Sequence, residues 1–366
     1  MELVPGPAHS GPQAAHVSGT TITVTTTSDD VAADGNCSLR EAIEAANTNT
    51  AVNECPAGSS TDTDGIHFDI PNPGVHTIQQ TGLSYSLGSN LVIDGYTQPE
   101  ASPATSTAPA TILIEIDGSA LDATSTNSAF RIPIRASNVT VRGLAIKNFT
   151  GSDQGAAFLI ESEDDPDGGH VIEGNYIGLN AAGNTAEGND WGIIISNSDI
   201  NALTTIGGST PAARNVISGN FNAGIRIICI ADCPHAIQGN YIGTDALGTA
   251  ALPNGSHGIS IRPDASSILI GGSAAARNVI SGNLGVGIDL AGGLNTVQGN
   301  YIGIDATGTA PLGNGSSGIG ASFSNIIGGS SAELRNVISA NGSAGLGVSG
   351  GGNVIEGNYI GTDASG

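Results

Sequence analysis

The chain has 366 residues, 33 of them acidic against ten basic, a formal net charge of -23. No stretch approaches the ~18 apolar residues of a membrane span, and the acid excess excludes nucleic acid, whose phosphates need a basic footprint. Gly, at 55 residues, has no three-residue period, which excludes collagen, and 39% hydrophobic residues are enough to bury a core.

Residues 1–19 hold Pro5, Pro7 and Pro12 and no apolar run; they read as a disordered lead, with no signal peptide visible. Residues 20–89 read as an N-terminal cap module. Ser38-Leu-Arg-Glu41 is a capping box, and Leu39, Ala42, Ile43 and Ala46 form one apolar face. A helix of about ten residues is expected there, flanked by strands at 21–27 and 66–70. Cysteines come in two close pairs, Cys37/Cys55 and Cys229/Cys233. Small loop-closing disulfides are the preferred reading and imply an oxidising compartment; four buried thiols are the alternative.

From residue 90 to 366 the chain repeats itself. Gly-Asn-Tyr-Ile-Gly begins at Gly174, Gly239, Gly299 and Gly357, and Arg-Asn-Val-Ile-Ser at Arg214, Arg277 and Arg335. Both phrases recur at about 60 residues, a unit that divides into two similar halves. Strand openings such as Asn90-Leu-Val-Ile-Asp-Gly, Asn138-Val-Thr-Val-Arg-Gly and His170-Val-Ile-Glu-Gly mark those halves. Apolar residues alternate, as in Ile225/Ile227 and Ile259/Ile261, and helical period is absent. Three short strands in about 30 residues make one coil of a right-handed parallel β-helix, an all-β solenoid whose inward Ile and Val are buried only by stacking. No C-terminal cap is visible up to Gly366, so a downstream part of the same chain is expected.

Cys37-Ser-Leu-Arg-Glu-Ala42, followed by Ile43-Glu-Ala-Ala-Asn47, resembles the CSLREA module that heads many secreted bacterial and archaeal proteins. The Asn-Tyr-Ile-Gly-Thr-Asp and Arg-Asn-Val-Ile-Ser-Gly-Asn phrases look like the repeats that follow it. The resemblance implies a pectate-lyase-like β-helix, secreted or displayed on a cell surface. It implies no catalytic set, and the architecture by itself does not choose between lyase, hydrolase, adhesin and stalk.

Candidate sites follow from clustering. Arg131, Arg135, Arg142 and Lys147 are four of the ten bases within 17 residues. They are the candidate catalytic face of a polysaccharide lyase, where a base takes the proton beside a sugar carboxylate and a cation steadies the anion. Glu161, Glu163, Asp164, Asp165 and Asp167 fall in one turn and could hold Ca²⁺, which takes about six to eight oxygen ligands; a solvated acidic loop is the plainer reading. Tyr176, Tyr241, Tyr301 and Tyr359 should lie two coils apart; exposed, they would stack against an extended sugar, and buried, they would fill corners. Asp245, Asp305 and Asp363 follow them in register and read as a solvated edge. The repeated Arg214, Arg277 and Arg335 should bond turn carbonyls. Asp94 and Asp117 are the option for a two-carboxylate hydrolase, although Asp before Gly is usually a turn residue. Cys229, Cys233 and His235 make only a partial metal set. The reading is an exported scaffold displaying loops to a polysaccharide or cell-surface protein, with a polysaccharide lyase or glycoside hydrolase as the alternative.

Overall fold

A computed structural model describes residues 16–122, 128–151, 155–162, 168–197, 203–230 and 232–366. Alternating apolar residues make extended segments, and Gly or Asn at their ends supplies the left-handed backbone of each corner; Gly143, Gly174 and Gly239 have φ of 77°, 65° and 69°. Among the described residues these segments form three sheets of eleven, nine and ten strands. Each coil adds one strand to each sheet, and neighbours pair in parallel. The chain is a right-handed parallel β-helix with three short strands per coil, closed at its N-terminal end by one helix.

The first sheet runs from Thr21–Val24 through Asp64–Phe68, Leu91–Asp94, Val139–Arg142 and His170–Glu173 to Val354–Glu356. Register aligns like residues into stacks. One stack reads Ile22, Ile66, Ile93, Val141, Ile172, Ile206, Ile237, Ile270, Val297 and Ile327. All ten are fully buried, each contributing about 1.5–3 kcal/mol on leaving water.

The helix, Leu39–Thr48, has the expected capping box: Glu41 N–H donates to Ser38 Oγ at 3.2 Å, and Ser38 N–H donates to Glu41 Oε2 at 2.9 Å. Leu39, Ala42 and Ile43 are buried against the first coil, and Cys37 and Cys55 form a disulfide beneath it. Asp29 joins the helix to the coil by accepting from Arg40 at 2.8 Å and from the Tyr85 hydroxyl at 2.5 Å. No described helix is long and apolar enough to cross a membrane.

The corners are held by buried asparagines. One ladder runs Asn175, Asn215, Asn240, Asn278, Asn300, Asn336 and Asn358, each amide donating to the next Oδ1. A second runs Asn189, Asn220, Asn254, Asn283, Asn314 and Asn341. These amides satisfy corner backbone that water cannot reach. Asn240, for example, also donates to Ile206 O at 2.9 Å.

The outer face of the third sheet reads Tyr176, Val216, Tyr241, Val279, Tyr301, Val337 and Tyr359 along successive coils. Turns two coils apart stack over it: Ala246, Ala306 and Ala364 N–H donate to Gly183, Gly248 and Gly308 carbonyls, each at 2.9 Å.

Candidate functional site

Among the strands of the first sheet, one outward column starts with three charged residues before it settles into a repeat. Asp94 pairs with Arg142, and Arg142 with Glu173, at the ends of neighbouring strands. Further along, the column reads Gly207, Gln238, Gly271, Gln298, Gly328 and Glu356. Arg142 therefore lies between two carboxylates, 2.8 Å from Asp94 Oδ2 and 3.5 Å from Glu173 Oε1. Its Nε is buried and has no hydrogen-bond partner among the described residues. Asp94 Oδ1 accepts the Tyr96 N–H at 3.0 Å, and the Tyr96 hydroxyl donates to Gly174 O at 2.5 Å.

These residues line a cleft of about 470 Å³, closed on the far side by Pro103 and the turn Ser209–Thr210. Burial raises the Glu173 carboxyl above its ordinary value, against the pull of Arg142. Burial works against the Arg142 charge, yet its hydrogen bond to Asp94 and both neighbouring carboxylates hold its pKa above the usual value. Burial, with smaller contributions from Tyr176, Asp94 and Glu173, pushes the Tyr96 hydroxyl well above the tyrosine range. The cleft thus offers a fixed cation, the Asp94 carboxyl hydrogen-bonded to it, a more readily protonated Glu and an aromatic edge.

A second cavity of about 350 Å³ shares Ser209 and Thr210 with the first. Arg214, Tyr241 and Arg277 line it. The two cavities meet at the Ser209–Thr210 turn.

The four clustered bases do not share a face, because 17 residues travel more than half a coil. Arg131 is on the second sheet, paired with Glu161 at 2.5 Å. Ile132 is buried but Ile134 is exposed, and Arg135 has left the strand at φ 72°, so the expected alternation ends at Ile132. Arg142 belongs to the first sheet and Lys147 to the third. Lys147 is buried between Glu115 at 2.9 Å and Glu187 at 2.6 Å. Only Arg142 reaches the cleft. Of the acidic turn, Glu161 serves Arg131, while Glu163, Asp164, Asp165 and Asp167 lie outside the described residues.

The tyrosines align two coils apart, but they do not offer open faces. Tyr176 and Tyr301 are buried, and Tyr241 and Tyr359 half-buried. Guanidinium groups of Arg214, Arg277 and Arg335 cover Tyr241, Tyr301 and Tyr359 at 4.3, 4.1 and 3.9 Å from the ring centres. Asp245 and Asp305 close their own turns, accepting N–H groups of Thr249, Ala250, Thr309 and Ala310; Asp363 accepts from Ser365. Arg277 and Arg335 do bond turn carbonyls, Gly299 O at 2.8 Å and Gly357 O at 2.9 Å. Asp94 and Asp117 sit on different sheets, so they make no pair; Asp117 caps its turn through Ser119 N–H. Cys229 and Cys233 form a disulfide, with His235 Nε2 3.7 Å from Cys229 Sγ.

No family model matches the chain, and no curated protein matches it in sequence. Among solved structures, the A-module of the Azotobacter vinelandii mannuronan C-5 epimerase AlgE6 is similar at 14% identity and a TM-score of 0.49, over 81% of this chain and 78% of that one. The AlgE4 A-module of the same organism gives 13% identity and 0.30, over 87% and 95%. PfbA, a surface adhesin of Streptococcus pneumoniae, gives 12% and 0.22, over 88% of each. The fold assignment rests on the strand ladders themselves.

Proposed function

We propose that this chain is an extracellular β-helical scaffold that binds a saccharide in the cleft of Asp94, Tyr96, Arg142 and Glu173. The observation that carries this is the contrast between columns. Repeating side chains are absorbed by ladders, stacks and turn caps, whereas the cleft brings Asp94, Arg142 and Glu173 together on successive strands, a run of three charges that the column does not repeat although Glu356 returns at its far end. Carboxylate and guanidinium groups side by side suit sugar hydroxyls, which donate to one and accept from the other. Two disulfides suit an oxidising compartment outside the cell.

Glycoside hydrolysis is the second reading, favoured by the raised Glu173 carboxyl. Asp94 and Glu173 would be its two carboxyl groups, held on either side of Arg142. One experiment separates the two. The protein is incubated with a panel of neutral and acidic polysaccharides, reading binding, new reducing ends and unsaturated products. Saturable binding without products, weakened in Glu173→Gln, is the expected result. Reducing ends that vanish in Glu173→Gln and Asp94→Asn would establish a hydrolase. Absence of binding across the panel by folded protein would refute both.

A further inference from the structure

Seven of the ten basic residues of this acidic protein fall into two groups, Arg135, Arg226 and Arg262 standing apart. Arg40, Arg131, Arg142 and Lys147 each sit against one or two carboxylates. Arg214, Arg277 and Arg335 pair with no carboxylate among the described residues, and each lies on a tyrosine ring instead. Arg214 departs further: its Nε is buried without a partner, where Arg277 and Arg335 use theirs on a glycine carbonyl. Both Arg214 and Arg277 line the 350 Å³ cavity, whose walls hold no acidic residue. Thr210, on the same wall, makes no side-chain cap bond to its turn. Asp245 and Asp305, whose charges act on Tyr241, accept backbone N–H groups of their own turns.

The geometry points to an anion subsite, in which Arg214 and Arg277 receive carboxylate or sulfate groups of a linear acidic glycan. The inference deepens the saccharide reading above and rests on it for the class of ligand. A guanidinium stacked on an aromatic ring is held flat and keeps its in-plane N–H groups for a bidentate oxyanion. Register sets the spacing. Val216 and Val279, two residues beyond the two arginines, flank Tyr241 on successive strands, so the arginines stand two strands apart, roughly 10 Å. That period suits a chain that turns a charged group to the same side on every second sugar. The shared Ser209–Thr210 wall lets one glycan occupy both cavities. The overall charge of -23 does not forbid this, because at physiological salt fields decay over about 8 Å and the local pair dominates.

The test measures binding of polygalacturonate fragments and of neutral dextran fragments by calorimetry. The proteins are the parent, Arg214→Gln/Arg277→Gln and Glu173→Gln, each checked by thermal melting. The Arg Nε–H resonance of Arg214 in the parent serves as a readout that does not depend on any variant folding. The expected result is a shift of that resonance on adding polygalacturonate, a loss of about tenfold or more in affinity for it in the double variant, and unchanged dextran binding. A silent Arg214 resonance together with double-variant affinity equal to the parent overturns the subsite. Loss in Glu173→Gln alone would leave the cleft reading standing without the subsite, and loss in the arginine variant alone would do the reverse.

Discussion

His170 occupies a corner position that Asn295, Asn325 and Asn353 fill in the last coils, with His235 accepting the Thr204 N–H in the same way between them, so His170→Asn separates protonation from hydrogen bonding. Its Nδ1 accepts the Val139 N–H at 3.4 Å, as Asn295 Oδ1 accepts the Ile268 N–H at 3.1 Å. Burial lowers the imidazole from 6.5 to about 4, and protonation would set a donor against a donor. As pH falls, the unfolded chain takes up this proton first. The stabilisation is therefore complete above pH ~6.5 and is lost as pH drops toward ~4. A shift of this size is worth about 3 kcal/mol, of which about 2 kcal/mol has gone by pH ~5. His170→Asn keeps the acceptor and deletes the proton. The fall in unfolding free energy between pH ~8 and pH ~5 should shrink by about 2 kcal/mol relative to the parent. Urea melts followed through Trp191, the single tryptophan, read this globally. Hydrogen exchange at the Val139 amide reads it locally, since a solenoid need not unfold all at once. A variant that loses stability as steeply as the parent between the two pH values refutes the reasoning.

Asn240→Ala removes the acceptor of the buried Asn215 N–H and amide and the donor to Ile206 O. It should cost about 2–4 kcal/mol, from orphaned polar groups and a small cavity. Exchange at the Asn215 amide should rise, whereas Asn184→Ala on an exposed turn should change neither reading. Lys147→Met strands Glu115, which is 6% exposed, and should cost about 3 kcal/mol in urea; adding Glu115→Gln should recover much of it. No recovery in the double variant would mean that Lys147 contributes by packing alone.

The coil architecture was legible because its cause is local. Period-two apolar residues and Gly/Asn corners recur within each 30 or so residues, and the capping box lies in four consecutive positions. The cleft was harder, since its residues are 48 and 31 positions apart and meet only through register. A signal was present nonetheless. Aligning the strand openings shows the residue before the corner glycine changing from Asp94 to Arg142 to Glu173, then alternating Gly and Gln until Glu356. Proximity in sequence misled at Arg131–Lys147, because in a solenoid neighbours a third of a coil apart face different directions. The same proximity hid the more telling arginines, whose repetition suggested structure alone. Arg277 and Arg335 do bond carbonyls, but Arg214 breaks the pattern by an unspent donor that no residue count displays.

The alternation of Tyr and Val along the third sheet makes two coils the unit of change. Removing one coil would bring Tyr against Tyr, or Val against Val, and leave a glycine turn without the partner that it meets two coils on. Removing two coils sets Tyr against Val again and preserves the alternation. Lengthening or shortening this rod therefore proceeds in steps of about 60 residues, each carrying one arginine, one tyrosine and one turn with it.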